Sequence, residues 1–540
     1  MIRSTYRDVT IPRLSVFDFL FGSLSADDID RVALIDGVTG RETSYRTLIR
    51  SITGFAGALA ARGVAPGTVV ALLSPNSPAY ATAFHGALRA GATVTPVNSL
   101  YTADEVATQL QDAGATWIIT VTALLDPAQS AATRLGIDPS HVIVLDGASG
   151  SPTSGSLTSG SLTLDDLLAE NAAPPALTID PATTIAVLPY SSGTTGRPKG
   201  VMLSHRNLVA NVVQSGALIG LARTDRVLAV LPFFHIYGLT VLLNYALRER
   251  ATLVTMPRFD LPEFLRILSD ERCTWVFIAP PIAVAFAKHP LVDEFDLSSL
   301  DVVFSGAAPL DGDLAAAVAR RLGCRVRQGY GMTELSPVSH AVPLSRDDLP
   351  LRSVGLALPG VECRLVDLET GEDIPIPHKG ESAAGELLCR GPNVMLGYLG
   401  NPEATAATLD ENGWLRTGDV ATVSPAGAYT IVDRLKELIK YKGYQVAPAV
   451  LEAVLLTHPL IADAAVIGVA DDDGQEVPKA FVVVQPSALL TEEDVINYVE
   501  SRVARHEKVR RVEFIDAIPK TTSGKILRKD LRAREVPQTA

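Results

Sequence analysis

The chain runs to 540 residues, too many for one ordinary domain, and its 47% hydrophobic and 20% charged content is that of a folded globular protein. Its 47 basic residues stand against 60 acidic ones, and the net charge of −13 argues against nucleic acid as the main partner. Four cysteines (Cys273, Cys324, Cys363, Cys389) are scattered without a Cys-x-x-Cys pair, so neither a zinc site nor a disulfide framework is expected, and a reducing cytoplasm fits.

The N-terminal stretch MIRSTYRDVTIPRL has no apolar core of the signal-peptide kind, and the C-terminal EVPQTA lacks an SKL-type address. From Val69 onward short apolar runs alternate with helical stretches: VVALLS, then the helical PAYATAFHGALRAG, TVTPV, a helix near 102–113, and TWIITV. That order predicts an α/β fold of largely parallel sheets with helices on both faces. The segment GASGSPTSGSLTSGSLT (147–163) reads as a surface loop. Alternation resumes with TTIAVL, VLAVL, ATLVTM, WVFIAP and DVVFSG, and the shorter runs CRLVDL and GELLCRG predict a smaller β-rich part.

Val227 to Leu247 carries no Asp, Glu, Lys or Arg and is long enough to span a bilayer. Pro232, His235, Gly238 and Asn244 break or polarise it, so a buried strand, a turn and a buried helix are expected, with no transmembrane segment. A second, small α+β unit begins near Asp433. It holds a helix around 448–457, strands AAVIGVA and KAFVVVQ, and a helix opened by the capping-box pattern Thr491-x-x-Asp494. The expected division is residues 1–433 and 434–540. Between Arg502 and Arg534 eleven Lys/Arg face four Asp/Glu, either a solvated surface or a landing site for a phosphorylated ligand.

Residues 190–200 read YSSGTTGRPKG directly after the apolar run IAVLPY. Gly193 and Gly196 let the backbone bend its N–H groups toward an anion. Ser191, Ser192, Thr194 and Thr195 add hydroxyl donors, and Lys199 supplies a mobile charge. This is a phosphate cradle, but not that of the P-loop NTPases, because Gly200 follows Lys199 where a magnesium-holding Ser or Thr would stand. Farther on, GYGMTE (329–334) brings together the aromatic face of Tyr330, the hydroxyl of Thr333 and the carboxylate of Glu334, a group suited to Mg²⁺ alongside substrate phosphates.

YSSGTTGRPKG resembles the phosphate loop of the adenylate-forming superfamily, in its acyl-CoA synthetase and 4-coumarate–CoA ligase-like branch. PFFHIYG (232–238), SGAAPL (305–310), GYGMTE, WLRTGD (414–419), DRLKELIKYKGYQV (433–446) and PKTTSGKILRKDL (519–531) follow in the same order, so the resemblance spans nearly the whole chain. It implies a mobile C-terminal cap over a large nucleotide-binding part. The implied activity is that of an AMP-forming acid–CoA ligase, with ATP, Mg²⁺ and coenzyme A as cofactors, in a monomer or homodimer.

The resemblance also implies roles. Lys525 offsets charge on the transferring phosphoryl group, with Lys199 and Thr333 at the phosphates and Glu334 on the metal. Gln328, Gly329 and Tyr330 lie at the nucleotide, Asp419 accepts from the ribose, and Arg434 reaches ribose or phosphates. Lys436 marks a pivot; after rotation Lys440, Lys442, Gly443 and Gln445 line a pantetheine path, and Arg258 meets a CoA phosphate. The acid pocket is placed at His235, Tyr237, Val241, Gly306, Ala307, Gly329, Pro337 and Val338. His235 is expected to gate the pocket, not to act as a base. It also argues against amino-acid substrates, since relatives that activate them carry Asp there.

Hydroxycinnamate ligases commonly carry Ser where Val241 stands, so fatty acids and unsubstituted aryl acids remain open beside hydroxycinnamates. Two other functions also stay open: an acyl-AMP ligase that loads a carrier protein, and a catalytically silent nucleotide-binding protein.

Overall fold

The computed structural model describes residues 2–146, 162–191, 198–441, 444–471, 476–485, 489–521 and 524–535. Strand Val69–Leu73 is an apolar run and pairs in parallel with Thr93–Val97 on one side and Trp117–Thr120 on the other. Between the first two lies helix Pro78–Arg89, started by the Ser77 side chain accepting from Tyr80 N with Pro78 in the first turn. Helix Ala103–Ala113 opens with the Thr102/Glu105 capping box and closes on left-handed Gly114. These strands belong to a nine-stranded sheet. A second nine-stranded sheet carries the parallel run of Val32–Asp36, Thr252–Thr255, Arg226–Ala229, Trp275–Ile278, Val302–Ser305 and Arg325–Gly331. One large apolar core, filled by side chains such as Trp275, Phe277 and Phe304, packs these layers together.

The β-rich part is a five-stranded antiparallel sheet that includes Glu362–Val366, Gly385–Arg390, Leu415–Val423 and Tyr429–Arg434. Within it Cys363 and Cys389 are direct cross-strand partners, although the sequence separates them widely. Residues 439–531 form apolar clusters of their own, around a three-stranded sheet and helices Pro448–Leu456 and Glu492–Glu500. The expected Thr491/Asp494 capping box is present. The 227–247 segment folds as strand, loop and helix, but Tyr237–Asn244 is wound with the wider π-helical turn before regular helix resumes at Tyr245–Glu249. No described helix is long and apolar enough to cross a membrane. Most of the Gly/Ser/Thr-rich stretch 147–163 lies outside the described residues.

Candidate active site

The parallel strands Val302–Ser305 and Arg325–Gly331 end side by side, with Ser305 opposite Gln328. Ligands in parallel α/β sheets collect at such carboxyl ends. A cavity of about 460 Å³, open to solvent, lies there, walled by Ile219, Tyr237, Val241, Phe304, Met332 and Val338 among others. His235, Gly306, Ala307, Gly329, Tyr330, Thr333 and Pro337 also line it.

Two glycines let the walls close. A methyl group at Gly306 would sit 2.9 Å from the Tyr237 ring, and one at Gly331 would sit 2.0 Å from the Pro337 carbonyl oxygen. Ala307 and Ser336, in the loops that border the cavity, hold the left-handed φ of +69° and +71°, which costs a side-chain-bearing residue of order 1–3 kcal/mol.

Buried amides hold these loops in place. Asn211 donates to Val338 O (2.7 Å), and Asn393 donates to Leu335 O (2.9 Å) and Val338 O (3.0 Å). Asn76 donates to Ala229 O and Leu231 O and accepts from Phe233 N, which fixes the approach to His235. Each amide sits where unpaired carbonyls would otherwise be buried without water. Among the described residues Tyr237 Oη finds no hydrogen-bond partner and lies against Gly306.

Above the cavity is a charged rim. Glu334, 5% exposed, accepts at Oε1 from Tyr398 Oη (2.8 Å) and Ser191 Oγ (3.1 Å). Lys199 is the cross-strand partner of Ser191, and its ammonium rests over the Tyr398 ring, 4.9 Å from the centroid. Asp419 and Arg434 face each other across adjacent strands, with Arg434 Nε 3.0 Å from Asp419 Oδ1. Tyr330 Oη donates to the other oxygen, Oδ2, at 2.6 Å. Cation, carboxylate and ring thus form one assembly built from three strands.

Lys525 completes the rim from the C-terminal part of the chain. A tight loop holds it: Thr521 N donates to Lys525 O (2.8 Å), Lys525 N to Thr521 Oγ1 (3.1 Å), and Gly524 N to Thr521 O (2.8 Å). Burial, followed by the neighbouring charge of Arg434 and then of Lys436, pulls its ammonium down to about 8, against the opposing pull of Asp419 and Glu334. Burial, with Lys525 second, takes His235 down to about 4, so its ring is neutral at pH 7. A neutral ring whose Nδ1 accepts from Tyr237 N (3.3 Å) suits a wall residue better than a proton carrier.

The rim fits a hard cation. Among the described residues the two side-chain hydrogen bonds to Glu334 both end on Oε1, which leaves Oε2 for a metal. Among the described residues no cluster of three or more His, Cys, Asp and Glu could enclose one, so its other ligands would be phosphate and water, the usual arrangement for Mg²⁺.

The structure gathers Ser191, Lys199, His235, Tyr237, Val241, Gly306, Ala307, Gly329, Tyr330, Thr333, Glu334, Pro337, Val338, Asp419, Arg434 and Lys525 around one crevice. Ser192, Gly193, Thr194, Thr195, Lys442 and Gly443 lie outside the described residues. Gln328 lies beside the crevice, opposite Ser305 on the neighbouring strand. Its side chain is spent on backbone, donating to Leu310 O (2.9 Å) and Leu351 O and accepting from Leu310 N (3.1 Å), so it braces the 305–310 loop and does not line the cavity. Arg258 is exposed in the loop before helix Leu261–Asp270. Lys440 and Gln445 are exposed cross-strand partners and do not line the cavity, and Lys436 Nζ is 3.8 Å from Glu437 just after the chain leaves the five-stranded sheet.

Sequence reasoning missed Tyr398, the link between Lys199 and Glu334. Its place depends on strand Gly397–Tyr398 pairing with Val201 and Met202, which no local pattern announces. It also missed Ile219 and Met332, apolar residues that look like any other core positions.

A family model described as AMP-binding enzyme matches residues 24–399, and one described as AMP-binding enzyme C-terminal domain matches 450–525. The chain belongs to the AMP-binding enzyme family. Among curated relatives of this AMP-binding enzyme, the rice (Oryza sativa subsp. japonica) protein named 4-coumarate–CoA ligase 5 is 41% identical over 99% of this chain and 97% of its own. Among solved structures, the anthranilate CoA ligase AuaEII in complex with anthranoyl-AMP has a TM-score of 0.86 at 26% identity, covering 97% of this chain and 98% of that one. ATP-bound MatB from Rhodopseudomonas palustris has a TM-score of 0.83 at 29% identity, covering 96% of this chain and 98% of that one.

Proposed function

We propose that this protein is an AMP-forming acid–CoA ligase acting on an aryl acid of the hydroxycinnamate type. The observation that carries the reading is the meeting, in one crevice, of an apolar cavity and a rim holding Lys199, Glu334, Asp419, Arg434 and Lys525. The names of the rice and AuaEII proteins support an aromatic acid and a CoA acceptor. The working division is a large lobe, residues 1–433, and a smaller lobe, residues 434–540, which closes over the nucleotide.

The acid's tail occupies the cavity, and its carboxylate meets ATP at the rim. A carboxylate oxygen attacks the α-phosphorus; the new P–O bond forms as the bond to the β-phosphate oxygen breaks and pyrophosphate leaves. Lys525 faces the growing negative charge as an ammonium held where little water competes, and Lys199 and Thr333 steady the phosphates. Asp419 accepts from the ribose hydroxyls while Arg434 and Tyr330 hold it in place. Glu334 would hold Mg²⁺, which spreads phosphate charge when bound. CoA sulfur then attacks the acyl carbon, AMP departs with the bonding pair, and the thiol proton passes to solvent.

The test is twofold. Purified protein given ATP, magnesium and CoA should release AMP with cinnamate-type acids faster than with medium-chain fatty acids. Lys525→Ala should lose acid-dependent ATP–pyrophosphate exchange by roughly 10²–10³-fold while still passing preformed acyl-adenylate to CoA. Absence of thioester with CoA as the sole acceptor sinks the CoA assignment.

A further inference from the structure

Lys525 belongs to the smaller lobe, so its position over the crevice depends on whatever holds that lobe down. One helix of the large lobe, Pro280–Lys288, grips it at both ends. At the near end, Ala279 and Pro281 pack on Gly524, where a methyl group would come within 3.0 Å of Ala279 Cβ. At the far end, about 13 Å away by helical rise, the Lys288 ammonium donates to three carbonyls of the smaller lobe: Leu456 O (2.7 Å), Ile461 O (2.9 Å) and His458 O (3.2 Å).

Those carbonyls lie at the C-terminal end of helix Pro448–Leu456 and in the turn into strand Ile461–Ala470. A cation there meets the negative end of the helix and satisfies acceptors that the helix leaves unpaired. Burial pulls Lys288 below the ordinary lysine range, the mark of an ammonium that has traded water for these carbonyls.

The clamp is braced on both sides. In the large lobe, Arg321 donates to Phe286 O (3.0 Å) and His289 O (2.9 Å), so the end of the helix that carries Lys288 is itself fixed. In the smaller lobe, the gripped strand Ile461–Ala470 also carries Asp463, which accepts from Lys520 Nζ at 2.5 Å. Lys520 stands at the base of the Thr521–Lys525 loop and bridges to Ile526 on its far side. A continuous path therefore runs from Lys288 through the start of that strand, Asp463 and Lys520 to the loop of Lys525.

We propose that Lys288 is a positioning residue for adenylate formation, a cross-lobe clamp that sets where Lys525 stands above the crevice. It touches no substrate, and it rests on the reading of Lys525 given above.

The full-length protein tests it. Lys288→Met should lower kcat of acid-dependent ATP–pyrophosphate exchange by roughly 10–100-fold, with KM for ATP and acid changed by less than about threefold, the split expected when a group is displaced and binding is not. Lys288→Arg, which keeps the charge and the reach, should restore most of the rate. Capture of preformed acyl-adenylate by CoA should be unchanged in both variants, and that capture also reports a folded protein. Exchange within about twofold of wild type in Lys288→Met, an equal fall in both half-reactions, or no rescue by Arg would each overturn the clamp. Lys525→Ala, run in parallel, separates the failures. If it retains exchange, the role of Lys525 falls first; if it loses exchange while Lys288→Met does not, only the clamp falls.

Discussion

The apolar cavity and the charged rim above it are built on different plans. The cavity is assembled within the large lobe from strand ends and loops pinned by Asn76, Asn211 and Asn393, whose amides spend their hydrogen bonds on backbone. The rim draws on separate segments, and its Lys525 arrives from the smaller lobe. A wall pinned by buried backbone tolerates little change of shape but is indifferent to pH. A rim of facing charges responds to pH and to lobe placement. Shape at one level and charge at the other should therefore separate in kinetics: cavity changes alter which acid binds, and rim changes alter turnover.

The largest expected effect breaks the rim. Glu334→Ala removes the acceptor shared by Tyr398 and Ser191, and exchange should fall by about 10²–10³-fold with little change in acid KM, read by pyrophosphate exchange under saturating acid. Next comes pH. With the Lys525 ammonium drawn down to about 8, exchange is at its plateau below that value and declines as pH rises through it, by roughly tenfold per unit for loss of one proton. Lys525→Arg should flatten that limb, and a wild-type profile level to pH 10 would detach the group from the step.

Gly306→Ala sharpens the other half, because its methyl group must displace the Tyr237 ring; acid KM should rise roughly tenfold while ATP KM stays put, measured in the same assay. Val241→Ser should give the smallest change, shifting kcat/KM between 4-coumarate and cinnamate by only several-fold toward the hydroxylated acid.

Much of the fold was legible because its periods are simple. Apolar runs such as VVALL and WVFI became parallel strands, the helix expected near 102–113 formed, and Thr491/Asp494 started a helix as its spacing indicates. The rim was legible where short motifs keep chemistry together, as in GYGMTE. What escaped depends on register. Asp419 and Arg434 were both named, but only the ladder shows them as cross-strand neighbours. Tyr398 enters through strand pairing alone, and Cys363 meets Cys389 for the same reason. Gln328 shows the converse: its place beside the crevice was readable, but the direction of its amide was not. The π-helical winding at Tyr237–Asn244 turns on which carbonyl each N–H chooses, a choice the hydrophobic pattern does not record.

The neutrality of His235 has a bearing on how a ligand must enter. With that imidazole uncharged, the described lining of the cavity offers no ion to an incoming anion, and the cations wait outside, at Lys199, Arg434 and Lys525. An organic acid is thus sorted head from tail on arrival: its ring sinks inward while its carboxylate is stopped at the threshold, facing phosphorus.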